Sequence, residues 1–216
     1  MKITDFLLDL LYPPKCPFCG HLLDIGEKGM CLECEKKLPY VTTEPQKGDF
    51  FESCVSPLYY EDDVRRALLK YKFHGCTGYA GLFGKMMAEC VQREYKGEYD
   101  LISWVPLSRA RKFRRGYDQA LLLAEEMATC LGDKTVKTLR KRKNIKAQSS
   151  TGSEEKRRAN VAGVYETCSE RNVIGMRVLL VDDIITTGAT LSECARTLRM
   201  AGALKVLCVT VARARE

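Results

Sequence analysis

One stretch of the sequence constrains the fold more than any other. Residues 178–190 read VLLVDDIITTGAT, an apolar run that leads into two aspartates and then into a turn of threonine and glycine. The four residues at 178–181 carry no polar side chain, which is typical of a strand buried on both faces of a parallel sheet. Helical periodicity follows over residues 190–200, so the sequence predicts a strand–turn–helix unit with polar groups at the carboxyl end of the strand.

The side chains around that turn suit a phosphorylated sugar. Amide groups at a helix N-terminus bind phosphate, threonine hydroxyls add donors, and glycine lets the backbone approach a ligand closely. Adjacent carboxylates can accept hydrogen bonds from vicinal sugar hydroxyls. The stretch therefore predicts a ribose 5-phosphate site at the carboxyl edge of the sheet, and the alternative is a charged turn without a ligand. The predicted site residues are Asp182, Asp183, Thr186, Thr187, Gly188, Ala189 and Thr190.

Strands and helices alternate along the rest of the chain, which predicts an α/β fold with a parallel sheet covered by helices on both sides. Asp62 is the expected N-cap of one of these helices. The predicted strands are residues 54–60, 101–105, 135–139, 178–181 and 205–212, and the predicted helices are residues 62–73, 79–95, 117–131 and 190–200.

A polar segment at residues 42–49 contains Pro45 and Gly48 and predicts a domain boundary. The smaller part, residues 1–41, holds an amphipathic helix over residues 2–12 and a cysteine-rich module. The larger part, residues 50–216, holds the alternating strands and helices.

The cysteines fall into two groups, one arranged in closely spaced pairs and the other solitary. Two C-x2-C pairs, Cys16 with Cys19 and Cys31 with Cys34, are separated by 11 residues. Two such pairs complete the tetrahedral coordination of zinc and leave no open position, which predicts a structural zinc ion; the alternative is four ordinary thiols. The other seven cysteines are expected to be small core side chains: Cys54, Cys76, Cys90, Cys130, Cys168, Cys194 and Cys208.

Hydropathy and charge limit where the protein can be located and which kinds of partner it can bind. No apolar stretch approaches the roughly 18 residues that a membrane span needs, and the N-terminal run lacks the features of a signal peptide, so a cytoplasmic location is expected. Residues 109–160 hold 15 lysines and arginines against 6 aspartates and glutamates. Such a block attracts an anion, either a nucleic-acid backbone or a small phosphorylated ligand.

Several segments resemble a known family. Residues 178–190 resemble the phosphoribosyl pyrophosphate (PRPP) motif of the type I phosphoribosyltransferases, and residues 105–119 resemble the segment with the pyrophosphate loop in one branch, the ComF competence proteins. That branch also has an N-terminal four-cysteine zinc module, a segment like residues 71–75 (YKFHG), and a glutamine followed by R-x-x-N, as at residues 148 and 157–160. The resemblance covers nearly the whole chain, in order.

This resemblance implies roles for individual residues. Asp182 and Asp183 are implied to be the catalytic pair that holds the ribose hydroxyls, with residues 186–190 on the 5-phosphate. The turn formed by Leu107, Ser108 and Arg109 is implied to face the pyrophosphate. A Mg²⁺ ion is implied to be held mainly by PRPP, with the protein contributing through water.

The chain departs from the family pattern at a few positions. Asp118 stands where the family usually has asparagine, and Ile145 where threonine is common. Thr186 stands where enzymes that act on 6-oxopurines have an acid, which disfavours a role in 6-oxopurine salvage. The spacing from Gln148 to Arg157 is one residue longer than usual, which affects the placement of the loop between them.

The basic segment that begins at residue 140 has three interpretations. It can be a mobile loop that closes over pyrophosphate, excluding water and stabilising the charge of the leaving group. It can follow single-stranded DNA, although it lacks the aromatic side chains usual in such sites. The third interpretation is a solvated loop with neither role. The residues assigned to this predicted loop are Lys141, Arg142, Lys143, Gln148 and Arg157.

Three functions from different classes follow. A phosphoribosyltransferase would displace pyrophosphate from C1 of the ribose, through an oxocarbenium-like state, in favour of an acceptor that the sequence does not specify. A sensor would bind PRPP without turnover and act in DNA uptake through partner proteins. An adaptor would bind single-stranded DNA without responding to PRPP. The enzyme is the favoured prediction, with a link to competence.

Overall fold

A computed structural model of the chain describes residues 13–24, 26–27, 29–142, 163–168 and 173–215. The predicted helix over residues 2–12 lies outside the described residues. So do three residues of the predicted basic loop, Lys143, Gln148 and Arg157.

The fold is built on a parallel sheet formed by β1 (Ser53–Val55), β2 (Leu58–Tyr59), β3 (Leu101–Trp104), β6 (Arg177–Ile185) and β7 (Lys205–Arg213). The strand order is β1–β7–β6–β3, and β2 also lies beside β7. A separate antiparallel ribbon is formed by β4 (Leu139–Lys141) and β5 (Tyr165–Thr167). Both β1 and β2 pair with β7, so the predicted strand at residues 54–60 is one sheet edge in two pieces. The interruption contains Pro57, which has no N–H to donate to a neighbouring strand.

Helices cover both faces of the sheet. They are α1 (Leu32–Lys37), α2 (Asp62–Phe73), α3 (Tyr79–Glu94), α4 (Arg109–Arg115), α5 (Gln119–Leu131) and α6 (Ala189–Met200). On β6, Leu179 and Val181 face a core formed with α2, α3 and α5, whereas Val178 and Leu180 face a second core formed with α6 and the ribbon. This alternation explains why the strand is apolar at every position, because both of its faces are buried.

The predicted elements are confirmed for α2, α3, α6, β3, β6 and β7 to within a few residues. Asp62 is not the N-cap of α2: Glu61 occupies that position, and Asp62 itself has a φ of 35°. Of the strand predicted at residues 135–139, Thr135 forms a single bridge with Ile102, and β4 begins at Leu139. The short elements α1, α4 and β5 were not predicted.

The expectation that the seven solitary cysteines lie in the core is right for four and wrong for three. Cys54, Cys90, Cys194 and Cys208 are buried. Cys76 is half-buried, while Cys130 and Cys168 are exposed. Cys130 lies in the last turn of α5 on its solvent side, and Cys168 follows the last residue of β5.

The polar segment at residues 42–49 lies along the sheet edge. Gln46 exchanges two backbone hydrogen bonds with Cys54 of β1, at 3.0 and 2.7 Å, and Arg213 donates to the carbonyl of Glu44 at 2.9 Å. The segment thereby reaches the carboxyl end of the sheet. Among the residues that the structure describes, no helix is both long and apolar enough to cross a membrane.

Candidate functional site

The two C-x2-C pairs come together. The Sγ atoms of Cys16, Cys19, Cys31 and Cys34 all lie within 4.8 Å of one another. Four thiolates around one zinc ion at about 2.3 Å have Sγ atoms about 3.8 Å apart, so the cluster fits a tetrahedral zinc ion. Three of the four side chains are buried, as expected of a closed structural site.

The first cysteine pair is shaped by a tight turn. The N–H of Cys16 donates to the carbonyl of His21 at 2.8 Å, and the N–H of Gly20 donates to the carbonyl of Cys16 at 2.9 Å. Gly20 has a φ of 80°, a conformation that favours glycine. Between the two cysteines, Phe18 is 2% exposed and packs edge-on against Phe83 of α3, with ring centroids 6.2 Å apart. The cysteine module therefore shares a core with the helices of the sheet.

The two aspartates lie within the carboxyl end of β6, which continues through both of them to Ile185. Asp182 is paired in register with Thr210 of β7, and the N–H of Asp183 donates to Oδ1 of Asp182 at 2.8 Å. Because successive side chains of a strand point to opposite faces, the carboxylates meet different neighbours. Asp183 faces α2, where Lys72 Nζ lies 3.0 Å from its Oδ2.

Asp182 faces the other side, towards α6 and the ribbon. Burial and the neighbouring charge of Asp183 raise the pKa of Asp182 to about 8, against the opposing effects of the Asp183 N–H and the Lys72 charge. Burial, together with the charge of Arg111, lowers the pKa of Lys141 of β4, which hydrogen-bonds the hydroxyl of Tyr165 at 3.3 Å. Shifted pKa values in a cluster of opposite charges are typical of a functional site.

The threonine–glycine turn links the aspartates to α6. Gly188 is the N-cap with a φ of 72°, so the backbone turns there in a conformation that favours glycine. Thr186 is exposed, and residues 187–190 are half-buried. A cavity of about 190 Å³ lies beside the turn and is lined by Thr187, Gly188 and Lys47, among other residues. The turn therefore offers hydroxyls and a helix N-terminus to a small anion.

The turn at residues 107–109 lies next to the aspartates. Trp104 of β3 pairs with Val181 of β6, and the N–H of Val105 donates to the Val181 carbonyl at 2.9 Å, so the chain leaves β3 at the same edge. Ser108 is the N-cap of α4 and accepts from the N–H of Arg111 at 3.3 Å. Arg109, the first residue of α4, is exposed.

Asp118 fixes the position of this turn. It is buried and accepts two hydrogen bonds with different oxygens, from the N–H of Leu107 at 3.3 Å and from the N–H of Leu121 at 3.4 Å. The second bond makes Asp118 the N-cap of α5, which explains why α5 begins at Gln119 instead of at residue 117. An asparagine has one side-chain oxygen and cannot accept both bonds in this way.

Two family models match the chain. The model of the phosphoribosyl transferase domain matches residues 118–216, and the model of the double zinc ribbon domain matches residues 7–46. The first includes β6, both aspartates and α6, and the second includes all four cysteines of the cluster.

Curated relatives match over a larger share of the chain. Competence protein ComFC of Bacillus subtilis is 28% identical over 85% of this chain and 70% of its own length. Competence protein F of Haemophilus influenzae is 27% identical over 93% of this chain and 97% of its own. DNA utilization protein YhgH of Salmonella typhi is 34% identical over 88% of this chain and 80% of its own. The chain belongs to the ComF family of competence proteins.

Solved structures with similar chain traces include phosphoribosyltransferases. The adenine phosphoribosyltransferase of Thermoanaerobacter pseudethanolicus has a TM-score of 0.42 and 16% identity, with 84% of this chain and 98% of that chain covered. The glutamine phosphoribosylpyrophosphate amidotransferase of Bacillus subtilis has a TM-score of 0.41 and 26% identity over 60% of this chain. The ComF-family chain covers 25% of the length of that amidotransferase.

The structure brings most of the predicted site residues of this ComF-family chain to one edge of the sheet. Residues 107–109, 182–183 and 186–190 meet there, with Lys141 on the neighbouring ribbon. Arg142 points elsewhere: its side chain is 61% exposed and lies 3.3 Å from Glu166. The cysteine cluster packs against α3, where Phe18 contacts Phe83.

Three residues at the site were not predicted as functional. Lys72 lies within the segment at residues 71–75 that resembles the ComF family, and Asp118 was noted as a departure from that family. Arg115 of α4 lies close enough to Asp183 for their charges to interact, and its guanidinium lies 4.6 Å from the ring centroid of Phe73. Their placement depends on contacts between α2, α4 and β6, which no local sequence pattern records.

Proposed function

We propose that this ComF-family protein binds PRPP together with Mg²⁺ and transfers its phosphoribosyl group to an acceptor nucleophile. The observation that carries the proposal is the convergence of three features at one edge of the sheet. These are the paired carboxylates of Asp182 and Asp183, the threonine–glycine turn into α6, and the turn at residues 107–109. A ligand with a sugar and two separate phosphate groups matches this arrangement.

Each feature is assigned to one part of PRPP. The hydroxyls of Thr186, Thr187 and Thr190 and the N-terminus of α6 hold the 5-phosphate. Asp182 and Asp183 accept hydrogen bonds from the ribose hydroxyls. The turn at residues 107–109 faces the pyrophosphate.

Mg²⁺ enters the proposal with the ligand. Among the described residues, the one group of three or more candidate metal ligands that lie close together is the four-cysteine cluster. We assign zinc to that cluster as a structural ion and Mg²⁺ to the pyrophosphate oxygens of PRPP, where it would offset the charge of the leaving group. Residues of the chain would contact this Mg²⁺ through water.

The reaction places specific demands on the site. The bond between C1 of the ribose and the pyrophosphate oxygen breaks, and its electron pair leaves with the pyrophosphate. The ribose becomes cationic as the bond breaks, and a nucleophile then attacks C1. Carboxylates on the ribose hydroxyls stabilise a cationic ribose, and cations near the leaving group stabilise the departing charge. We assign the second role to Lys141, whose charge interacts with those of Asp182 and Arg111.

Calorimetry and an assay for pyrophosphate release test the proposal. We expect PRPP to bind in the presence of Mg²⁺ and pyrophosphate to be released when a suitable nucleophile from a panel of cell metabolites is added. Binding without release for any nucleophile would favour the PRPP sensor. Failure of PRPP to bind with or without Mg²⁺ would contradict both. None of the eleven cysteines forms a disulfide, which favours a reducing compartment, so we place the reaction in the cytoplasm.

A second function, binding of single-stranded DNA, is favoured by α4. Five of the seven residues of this helix are basic, and Phe113 among them is 93% exposed. Phe73 lies nearby, 56% exposed, under the guanidinium of Arg115. Basic groups that bind the backbone, together with aromatic rings on which bases stack, are the usual elements of a single-strand site. The names of the relatives, which refer to competence and DNA utilization, agree with this function.

Two matched double variants separate the roles of the ribbon and of α4. Lys141→Ala with Arg142→Ala is expected to slow pyrophosphate release, or to weaken PRPP binding if the protein is a sensor, because Lys141 lies at the proposed site. Lys112→Ala with Arg114→Ala removes the same charge from α4. This second variant is expected to flatten the log–log salt dependence of single-strand binding by about 1.4, at about 0.7 for each phosphate contact.

Each variant is the control for the other. Fluorescence anisotropy with a labelled oligonucleotide across a salt series measures the slope, and the release assay measures turnover. A flattened slope in the ribbon variant, combined with normal behaviour towards PRPP, would show that the ribbon follows DNA and that its assignment to the pyrophosphate is wrong.

A further inference from the structure

We infer that Lys72 is a positioning residue of the proposed ribose site, where it holds the Asp183 carboxylate in the orientation that a ribose hydroxyl requires. This inference rests on the proposed function and deepens it. Lys72 contacts Asp183 and acts through it.

The ion pair is close and largely removed from water. Lys72 Nζ lies 3.0 Å from Oδ2 of Asp183, and the two side chains are 19% and 14% exposed. An ion pair with so little exposure is fixed in geometry, and removing one partner leaves the other charge poorly solvated. The pair engages Oδ2, so the second oxygen, Oδ1, is the one that we assign to the ribose hydroxyl.

The end of α2 that carries Lys72 is itself held in place. The hydroxyl of Tyr71 donates to the carbonyl of Gln119 at 2.8 Å, and the side-chain amide of Gln119 donates to the carbonyl of Lys72 at 3.3 Å. Tyr117 donates its hydroxyl to the carbonyl of Tyr71. Tyr71 is fully buried and packs edge-on against Phe83, with ring centroids 5.8 Å apart. The backbone on both sides of the Lys72 side chain is therefore fixed against the start of α5.

Among the described residues, Lys72 is the cation that forms an ion pair with Asp183, and no second cation does so. Arg115 of α4 is the other cation whose charge acts on Asp183, but its guanidinium lies over the ring of Phe73. The titratable groups whose charges interact with the aspartate pair come from every element packed against it: Lys72 and Tyr71 on α2, Arg115 on α4, Asp118 before α5, Lys141 on β4, Tyr165 on β5, Cys194 on α6, Cys54 on β1 and Cys208 on β7.

The charge of Lys72 also acts on the other carboxylate. Burial and the Asp183 charge raise the pKa of Asp182 to about 8, and Lys72 opposes that increase. Without Lys72 the pKa of Asp182 rises further, so a larger fraction of Asp182 is protonated at neutral pH. An ionised carboxylate is the stronger acceptor for a hydroxyl, and the loss of Lys72 therefore weakens both contacts to the ribose.

Replacement of Lys72 in the full-length protein tests the inference. We expect Lys72→Met to weaken PRPP binding at least tenfold at pH 7.5 in calorimetry with Mg²⁺. In the wild-type protein the affinity rises as the pH increases through about 8, and in Lys72→Met we expect this rise to move to higher pH. Lys72→Arg, which keeps the charge, is expected to recover most of the affinity and the wild-type pH profile.

The matched control is Lys70→Met, which removes an exposed lysine from the same helix and is expected to behave as the wild type. A role in folding alone would lower the affinity equally at every pH and would not depend on the charge at residue 72, so the pH profile and the recovery by Lys72→Arg together distinguish it from positioning. If Lys72→Met does not fold, Lys72→Gln, which retains a hydrogen-bond donor, replaces it in the same comparison.

The possible failures are distinguishable. Wild-type protein that binds no PRPP would overturn the proposed function, and this inference with it. Wild-type binding that the Lys72 variant retains in full from pH 6.5 to 9 would overturn the inference alone. A tenfold loss that leaves the pH profile unchanged and that Lys72→Arg does not recover would also overturn it, because that result assigns Lys72 to packing.

Discussion

Replacement of Asp182 and Asp183 together by asparagine is expected to weaken PRPP binding by at least two orders of magnitude. Hydrogen bonds to a charged acceptor contribute about 1.5–3 kcal/mol each, and above the Asp182 pKa of about 8 the double variant removes the charge from both proposed acceptors while keeping the volume of the side chains. Calorimetry with Mg²⁺ measures the loss. Wild-type affinity in this variant would show that the site has been assigned to the wrong residues.

Two controls accompany the double variant. Glu125→Gln with Glu126→Gln removes an adjacent pair of exposed carboxylates from α5 and is expected to leave PRPP binding unchanged. Asp182→Asn alone is expected to be at least as stable as the wild type at pH 8, and circular dichroism of the double variant checks that lost binding is not caused by unfolding.

The stability of that single variant follows from the titration of Asp182. The pKa of Asp182 is raised to about 8 in the folded protein, whereas the pKa of an aspartate in an unfolded chain is about 3.9. The folded state therefore holds a proton that the unfolded state has released, and the wild type loses stability as the pH rises from about 4 to about 8. Asparagine removes this loss. Denaturant unfolding at pH 5 and pH 8 is expected to show a smaller decrease for Asp182→Asn than for the wild type.

Loss of zinc is expected to destabilise the whole protein and not the cysteine module alone. Apparent binding free energies at structural zinc sites are about 10–16 kcal/mol at neutral pH, so the protein should be purified with one zinc ion per chain. Cys16→Ser with Cys34→Ser should abolish binding and release Phe18 from its contact with Phe83. Truncating a buried phenylalanine costs about 3–5 kcal/mol, and a comparable loss here lowers the midpoint of thermal unfolding by about 10 °C in a protein of this size.

Elemental analysis and thermal unfolding followed by circular dichroism check this prediction. Cys130→Ser, at an exposed cysteine of α5, is the control and is expected to retain both zinc and stability. A zinc-free double serine variant that unfolds at the wild-type temperature would contradict the shared core.

The features predicted well from the sequence are those encoded locally. The apolar run before Asp182, the turn at Gly188 and the helix after it are consecutive in the chain, and the cysteine spacing is a property of two short segments. The features that were missed depend on partners that are distant in the sequence. Strand β5 exists because Tyr165 pairs with Lys141 across the residues between them, and the start of α5 is set by Asp118, which also holds Leu107.

Lys72 shows the same limit at the site itself. Lys72 lies within the segment at residues 71–75 that resembles the family, but the helical periodicity does not distinguish it from Lys70, two residues earlier on α2. The difference is the position on the helix, which turns Lys72 towards Asp183 and leaves Lys70 in solvent. A pattern that records only the periodicity of apolar residues predicts the helix and does not identify which lysine pairs with Asp183.

The strand that carries the aspartates and the ribbon that carries Lys141 are attached to the molecule differently. Strand β6 is hydrogen-bonded to β7 along most of its length and to β3 over residues 178–181, whereas β4 and β5 pair with each other over three residues apiece. Insertions and substitutions between β4 and β5 can therefore accumulate during evolution without disturbing the sheet. Under the proposed function, the acceptor can therefore differ between members of the family while the aspartates stay in place.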